Sequence, residues 1–184
     1  MDVLVIGDGP GGLSAALFLA KGGLHVEVYG QDKTAMHWAQ LRNYLGLPDV
    51  LGSEFQKVAR DQAAAFGAKI VNARIEALAK SGRGFEATLE GGEKLGARFV
   101  ILSEGKSPRL AQQLGLKFDE VNGLSVDVNG KTAVPGVYAV GRLVRPKRSQ
   151  AIISAGDGAA AAIDILSALK GEPVQDWDSP PEKS

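Results

Sequence analysis

The chain of 184 residues contains no cysteine. That excludes a disulfide scaffold, a thiolate metal site and any dithiol redox chemistry carried by this chain. Charge of one sign is also missing: 21 Lys and Arg stand against 21 Asp and Glu, a formal net charge of +0. Such a chain has no net field to gather nucleic acid or an anionic membrane. No apolar run reaches the roughly 18 residues that a bilayer span needs. Histidine is scarce, with only His25 and His37, too few for a structural zinc site without other ligands. No metal site is expected. The opening "MDVLVIG" enters a strand pattern at once, without a basic segment before it, so no signal peptide is read and the expected location is cytoplasmic.

What is present is glycine, 24 residues of it, placed at element boundaries. "DVLVIG" is a short apolar run and reads as a strand buried on both faces. "GDGPGG" leads from it into "LSAALFLAKGG", a helix stopped at Gly22-Gly23, and "HVEVYG" is a second strand. Together they form a β-α-β unit. "GSEFQKVARDQAAAFG" is predicted as a helix with a capping box, Ser53 at the N-cap and Gln56 three residues on. The segments from "AKIVNARIEALAK" through "EKLGARFVILSEG", joined by "SGRG" and "EGGE", read as antiparallel excursions, with "RFVILSEG" returning to the main sheet. Asn129-Gly130 marks a turn. "VYAVG" is a last buried strand, and "SQAIISAGDGAAAAIDILSALKG" a long helix closed by Gly171. The fold class is α/β, with a central parallel sheet and an antiparallel β-meander. One domain spans 1–171, and a Pro-rich, charged tail, 172–184, is expected to fray.

Gly7-Asp8-Gly9-Pro10-Gly11-Gly12 fits G-x-G-x-x-G in the context its mechanism requires, a strand before and a helix after. Gly7 permits the tight turn, Gly9 lets the backbone approach a pyrophosphate, and Gly12 lets the helix pack on the strand. The helix N-terminus offers free N–H groups and partial positive charge to phosphates. The acid expected at the end of the second strand is not evident. Glu27 is mid-strand, and the strand ends at Gly30, so either Asp32 or the backbone around Gly30 and Gln31 takes the ribose.

These segments resemble the FAD-binding domain of the thioredoxin reductase family from residue 2 to about 170, which implies a three-layer FAD/NAD(P)-binding Rossmann-like fold and makes 1–171 one FAD-binding domain. "VLVIGDGPGGLSAALFLAKGGLHVEVYG" is similar to the family's opening motif, with a glycine where many relatives have an acid. "LRNYLGLP" resembles its Asn-aromatic-x-Gly segment and implies Asn43 near the flavin. "GAKIVNARIEAL" resembles the strand whose backbone meets adenine, near Ile75. Ser103-Glu104-Gly105 stands at the Ala-Thr-Gly turn and implies Glu104 and Gly105 at the cofactor. "TAVPGVYAVGR" is similar to the segment ending Gly-Asp, here Gly141-Arg142, and "SQAIISAGDGAAAA" to the segment that closes over the flavin with Gln150, Ala151 and Ile152. With Gly7, Gly9, Pro10, Gly11, Gly12, Gly30, Gln31 and Asp32, these are the expected FAD contacts.

The resemblance stops at an internal gap. The family inserts a whole NADPH domain with its Cys-x-x-Cys between the two halves of the FAD domain, whereas "SEGKSPRLAQQLGL" runs almost directly from one half to the other. In the family, the aspartate at the position of Arg142 accepts flavin ribityl hydroxyls, a bond worth roughly 1.5–3 kcal/mol. Arginine cannot accept it. Arg142 either recovers part of the loss at the pyrophosphate or points to solvent, and Arg145, Lys147 and Arg148 form a solvated loop or a docking site for an anion such as NAD(P)H. The helix beginning at Gln150 biases the site toward anionic reduced flavin. No acid, base or nucleophile stands out as catalytic. The reading is therefore an FAD-dependent oxidoreductase taking electrons from an external donor such as NAD(P)H for an unknown acceptor. The alternatives are a non-catalytic flavin sensor or partner subunit and, more distantly, an NAD-binding Rossmann protein. A homodimer is expected through Trp38, Leu41, Tyr44 and Leu45.

Overall fold

The computed structural model describes residues 1–180. In chain order the elements are β1 (Val3–Ile6), α1 (Pro10–Lys21), β2 (Val26–Gly30), β3 (Gln40–Leu41), β4 (Val50–Leu51), α2 (Gly52–Ala65), β5 (Lys69–Asn72), β6 (Ile75–Ser81), β7 (Gly84–Leu89), β8 (Lys94–Ala97), β9 (Phe99–Leu102), α3 (Arg109–Gln113), β10 (Phe118–Asp119), β11 (Gly123–Leu124), β12 (Val137–Ala139) and α4 (Ala151–Lys170). Five strands form one parallel sheet in the order β12-β9-β1-β2-β5.

The sheet is sandwiched because its central strand has no polar face. In β1, Val3 and Val5 pack with Leu13, Ala16 and Leu19 of α1 and with Ala161, Ala162 and Ile165 of α4. Leu4 and Ile6 point the other way, to Leu78, Phe85 and Ala87 of the antiparallel meander β6-β7-β8 and to Leu110 of α3. Alternation along a strand buried on both sides thus builds two apolar layers and three structural ones. The α/β class, the parallel sheet and the meander agree with the sequence pattern.

Two local readings are corrected. The capping box does not form: α2 starts at Gly52, its N-cap is Leu51, and no side chain caps it. The Gln56 amide instead donates to the carbonyl of Asp8 at 2.6 Å. A second correction concerns Lys69–Asn72, which is not an antiparallel excursion but a parallel edge strand on β2. Glu27 lies inside β2 as read from the sequence; it is buried and occupied by Tyr29 Oη–H at 2.7 Å and Lys69 at 3.3 Å.

The helix α4 is long and apolar enough to cross a membrane by composition alone. Here one side of it packs on α1, and its Asp157 and Asp164 bind Arg145 and Lys131. The segment after Gly171 makes specific contacts. Val174 N–H donates to Ser167 Oγ at 2.9 Å, and Lys21 Nζ lies 2.6 Å from both Asp176 and Asp178. The last four residues of the tail, 181–184, lie outside the described residues.

Candidate functional site

A cleft of about 570 Å³ opens at the carboxyl ends of β1, β2, β9 and β12, where open parallel sheets place their ligands. Its floor is the β1–α1 loop. Gly7 has φ +101°, and a Cβ there would meet the Ser103 carbonyl at 2.2 Å. A Cβ on Gly12 would meet the Gly7 carbonyl at 2.0 Å, so the loop and helix can close only without side chains. Gly9 differs: a Cβ there would have nothing within 4 Å and would project into open space. Pro10 starts α1, and no side chain caps the helix. Leu13 N–H makes the first helical bond, to Gly9 O at 2.9 Å, which leaves the Gly11 and Gly12 N–H groups without an acceptor among the described residues. This is an anion cradle built by the backbone.

The charges of the cleft agree with that cradle. Lys33, Arg74, Lys106 and Arg142 line it, and among the described residues none of these four side chains has a hydrogen-bonding or ion-pair partner. The acids that line it are both engaged. Asp8 is held by Arg60 and by Asp32 N–H. Glu104 accepts the N–H groups of Leu110 at 2.9 Å and Ala111 at 3.0 Å, fixing the start of α3. Burial pushes the Glu104 carboxyl above its usual range, against those two N–H bonds and Arg109. Neither acid is free to move a proton for a reacting group, and the surplus of unpaired cations favours a polyanion.

Of the residues expected from the sequence, Gly7, Gly9, Pro10, Gly11, Gly30, Gln31, Ile75, Glu104, Gly105, Gly141, Arg142 and Ala151 line the cleft. Gly12 lies behind it against Gly7. Asp32, at φ +53°, directs its carboxylate to His37 Nε2 at 3.1 Å, away from the lining. Asn43 and Gln150 are bonded to each other at 3.0 Å and tie the loop of the forties to the start of α4 beside the rim. Ile152 lies on the first turn of α4, outside the lining and 37 % exposed. In the basic loop, Arg145 is bound by Asp157 through Nε and Nη2 at 3.0–3.1 Å. The same carboxylate accepts Gly141 N–H at 3.3 Å. Arg145 therefore shapes the turn, while Arg142 is half-buried and has no partner among the described residues. Sequence reasoning missed Asp8, Lys33, Arg74, Lys106 and Ser154. The signal for Asp8 was an acid inside the glycine loop paired with a glycine at the end of β2.

The family model described as pyridine nucleotide-disulphide oxidoreductase matches residues 40–158. A thioredoxin reductase of Schizosaccharomyces pombe is 30% identical over 180 residues, covering 90% of this chain and 52% of that protein. One from Chlamydia pneumoniae is 34% identical over 170 residues, 89% of this chain and 50% of that protein. The chain thus spans about half the length of these relatives. Among solved structures, a thioredoxin reductase from Gloeobacter violaceus superposes with a TM-score of 0.86 at 19% identity, covering 97% of this chain and 98% of that one. Sequence and fold agree: the chain belongs to the pyridine nucleotide-disulphide oxidoreductase family and has the fold of a thioredoxin-reductase-like FAD-binding domain.

Proposed function

We propose that the chain binds FAD and acts as a flavoprotein oxidoreductase, taking electrons from an external donor such as NAD(P)H and passing them to a separate acceptor without dithiol chemistry of its own. The observation that carries this reading is the cleft itself. An uncapped, glycine-built helix N-terminus shares one cleft with four unpartnered cations, which suits the pyrophosphate of a dinucleotide. When bound, flavin supplies the hydride and electron chemistry, and the protein supplies orientation and electrostatics. Gly9, Gly11 and Gly12 would hold the pyrophosphate, and the uncapped start of α4 adds positive potential to the same cleft through Ala151. FAD reconstitution followed by anaerobic titration with NADPH and NADH is the test. A folded protein that stays colourless after FAD sinks the cofactor. One that takes up FAD but is bleached by neither nucleotide sinks those donors.

A flavin-holding subunit is the second reading, and it too has an observation behind it. Between β9 and β12 the chain builds only α3 and the two-residue strands β10 and β11, with no second β-α-β dinucleotide unit. A partner that supplies a donor-binding domain would restore bleaching that the purified chain lacks.

Arg142 is the cation best placed to offset the missing acid. Arg142→Ala is expected to weaken FAD by about 1 kcal/mol or more, roughly fivefold, the loss of one charge-assisted bond. Arg142→Asp should bind at least as tightly as Arg142→Ala. Equal affinities for all three proteins, measured by flavin fluorescence, would make Arg142 a surface residue.

We also propose a homodimer. Trp38 and Leu45 are 91 % and 88 % exposed, and Leu47 and Leu51 beside them are also exposed. Leu41 is buried, and Tyr44 packs on Phe55 at 5.4 Å between ring centroids, so these two support the patch from beneath. Apolar surface of this kind marks interfaces, and twofold dimers are the commonest closed assemblies. Light scattering at micromolar concentration should give twice the chain mass. Trp38→Glu with Leu45→Glu should halve it, and a monomer mass for the unaltered protein would refute the dimer.

A further inference from the structure

A dinucleotide fold places an acid at the end of its second strand, where it accepts the adenosine ribose hydroxyls. This chain has Gly30 there. Gly30 does not owe its identity to backbone conformation, because it is absent from the glycines with positive φ. It owes it to space. A Cβ at residue 30 would lie 2.3 Å from Asp8 Cγ and 2.4 Å from Asp8 Oδ1. The carboxylate of Asp8, from the first variable position of the glycine loop, already fills the volume into which a side chain at the end of β2 would grow.

The surroundings hold that carboxylate in place. Asp8 is only 4 % exposed. Its Oδ2 accepts Asp32 N–H at 3.0 Å and the Arg60 guanidinium. Arg60 Nη2 in turn donates to Asn72 Oδ1 at 2.6 Å, at the end of β5. Gln56, one turn before Arg60 on α2, donates to the Asp8 carbonyl at 2.6 Å. The helix therefore clamps Asp8 at both its backbone and its side chain. Burial pushes the carboxyl above the usual range, and Arg60 opposes that. Among the described residues no other residue donates a hydrogen bond to Oδ1, although Asp8, Gly30 and Gln31 all line the cleft. The neighbouring acids are spent elsewhere, Glu27 on Tyr29 and Lys69 and Asp32 on His37.

We propose that Asp8 is the acceptor for the adenosine ribose hydroxyls, transposed from the end of β2 into the glycine loop and oriented by Arg60. The assignment rests on the FAD reading, and its test separates the two. Affinities are measured for FAD and for an FAD analogue whose adenosine ribose lacks the 2′ and 3′ hydroxyls. The unaltered protein should bind FAD about tenfold or more tightly than the analogue, the size of a lost hydrogen bond to a charged group. Asp8→Ser should weaken FAD by a similar factor and bind both ligands alike, whereas a merely structural role would lower both and preserve their ratio. Gly30→Glu alone should lose FAD through collision with Asp8. Combined with Asp8→Ser, it should regain the preference for the intact ribose. Absence of FAD binding by the unaltered protein overturns the cofactor reading and this assignment with it. FAD binding without ribose discrimination, or discrimination that survives Asp8→Ser, overturns the assignment alone. Should Asp8→Ser fail to fold, the comparison of the two ligands on the unaltered protein still decides whether the hydroxyls are read.

Discussion

Gly9→Leu is expected to fold like the unaltered chain and to lose FAD altogether. The two halves of this result have separate causes. Gly9 sits at φ −75° and ψ 178°, a backbone conformation open to any residue. Its Cβ would meet no heavy atom within 4 Å, so the new side chain leaves the backbone into open space. A substitution of that kind changes stability by no more than about 0.5 kcal/mol, which at this chain length shifts the melting temperature by about 2 °C or less. The open space is the cleft, however, and an isobutyl group there covers the free N–H groups of Gly11 and Gly12. Losing two charge-assisted bonds to a pyrophosphate costs roughly 3–6 kcal/mol, more than a hundredfold in affinity. Gly7→Ala is the contrasting case. It combines φ +101° with a 2.2 Å approach to Ser103 O, so it should damage the fold itself. Thermal melts without flavin and fluorescence titration with FAD check both parts. A Gly9→Leu protein that retains tight FAD would remove the glycine loop from the cofactor site.

How much of this was legible in the sequence follows from the range of the forces involved. The β-α-β opening and the long last helix are local: the apolar runs, the glycine stops and the turn residues lie within the elements they define. Gly171 at φ +79° closes α4 where the sequence places the stop. The capping box failed because its competitor is distant. Ser53 and Gln56 have the correct spacing, but Gly52 fits against the Met36 carbonyl, where a Cβ would approach to 2.0 Å, and its N–H bonds to Ala39 O. Those contacts start the helix two residues early, and Gln56 is drawn to Asp8, 48 positions away. Lys69–Asn72 was misread for a similar reason. Four residues with a polar one at each end carry little periodic signal, and the pairing with β2 decides them. Asp8 was hidden differently. Its position tolerates any residue in the motif, and its meaning emerges only when the empty volume beside Gly30 is seen to be full.

The packing of α1 on α4 supplies a second large expected effect, and it turns on two glycines two residues apart. Gly158→Ala should destabilise the protein, while Gly156→Ala should stabilise it. Both replace glycine inside the same helix, and each should gain up to about 1 kcal/mol from alanine's better helix propensity. At Gly156 nothing lies within 4 Å of the added methyl, so that gain stands alone. At Gly158 the methyl would lie 2.1 Å from the Gly11 carbonyl and 3.0 Å from Ala15 N. Both neighbours are backbone, so no side chain can turn aside, and α4 must move off α1. Overpacking of this kind costs about 1–3 kcal/mol and occasionally more, and here it strikes rigid main chain in a buried seam, at the upper end of that range. A net loss of about 2–3 kcal/mol corresponds to a melting temperature lower by about 4–12 °C. The same shift disturbs the cleft, because a Cβ on Gly11 would sit 3.0 Å from Ser154 O, showing how closely the phosphate loop rests on α4. FAD affinity should therefore fall with Gly158→Ala and hold with Gly156→Ala. Calorimetry of the two variants with and without FAD reads both quantities. A Gly158→Ala protein as stable as Gly156→Ala would mean that α1 and α4 do not pack with their backbones in contact.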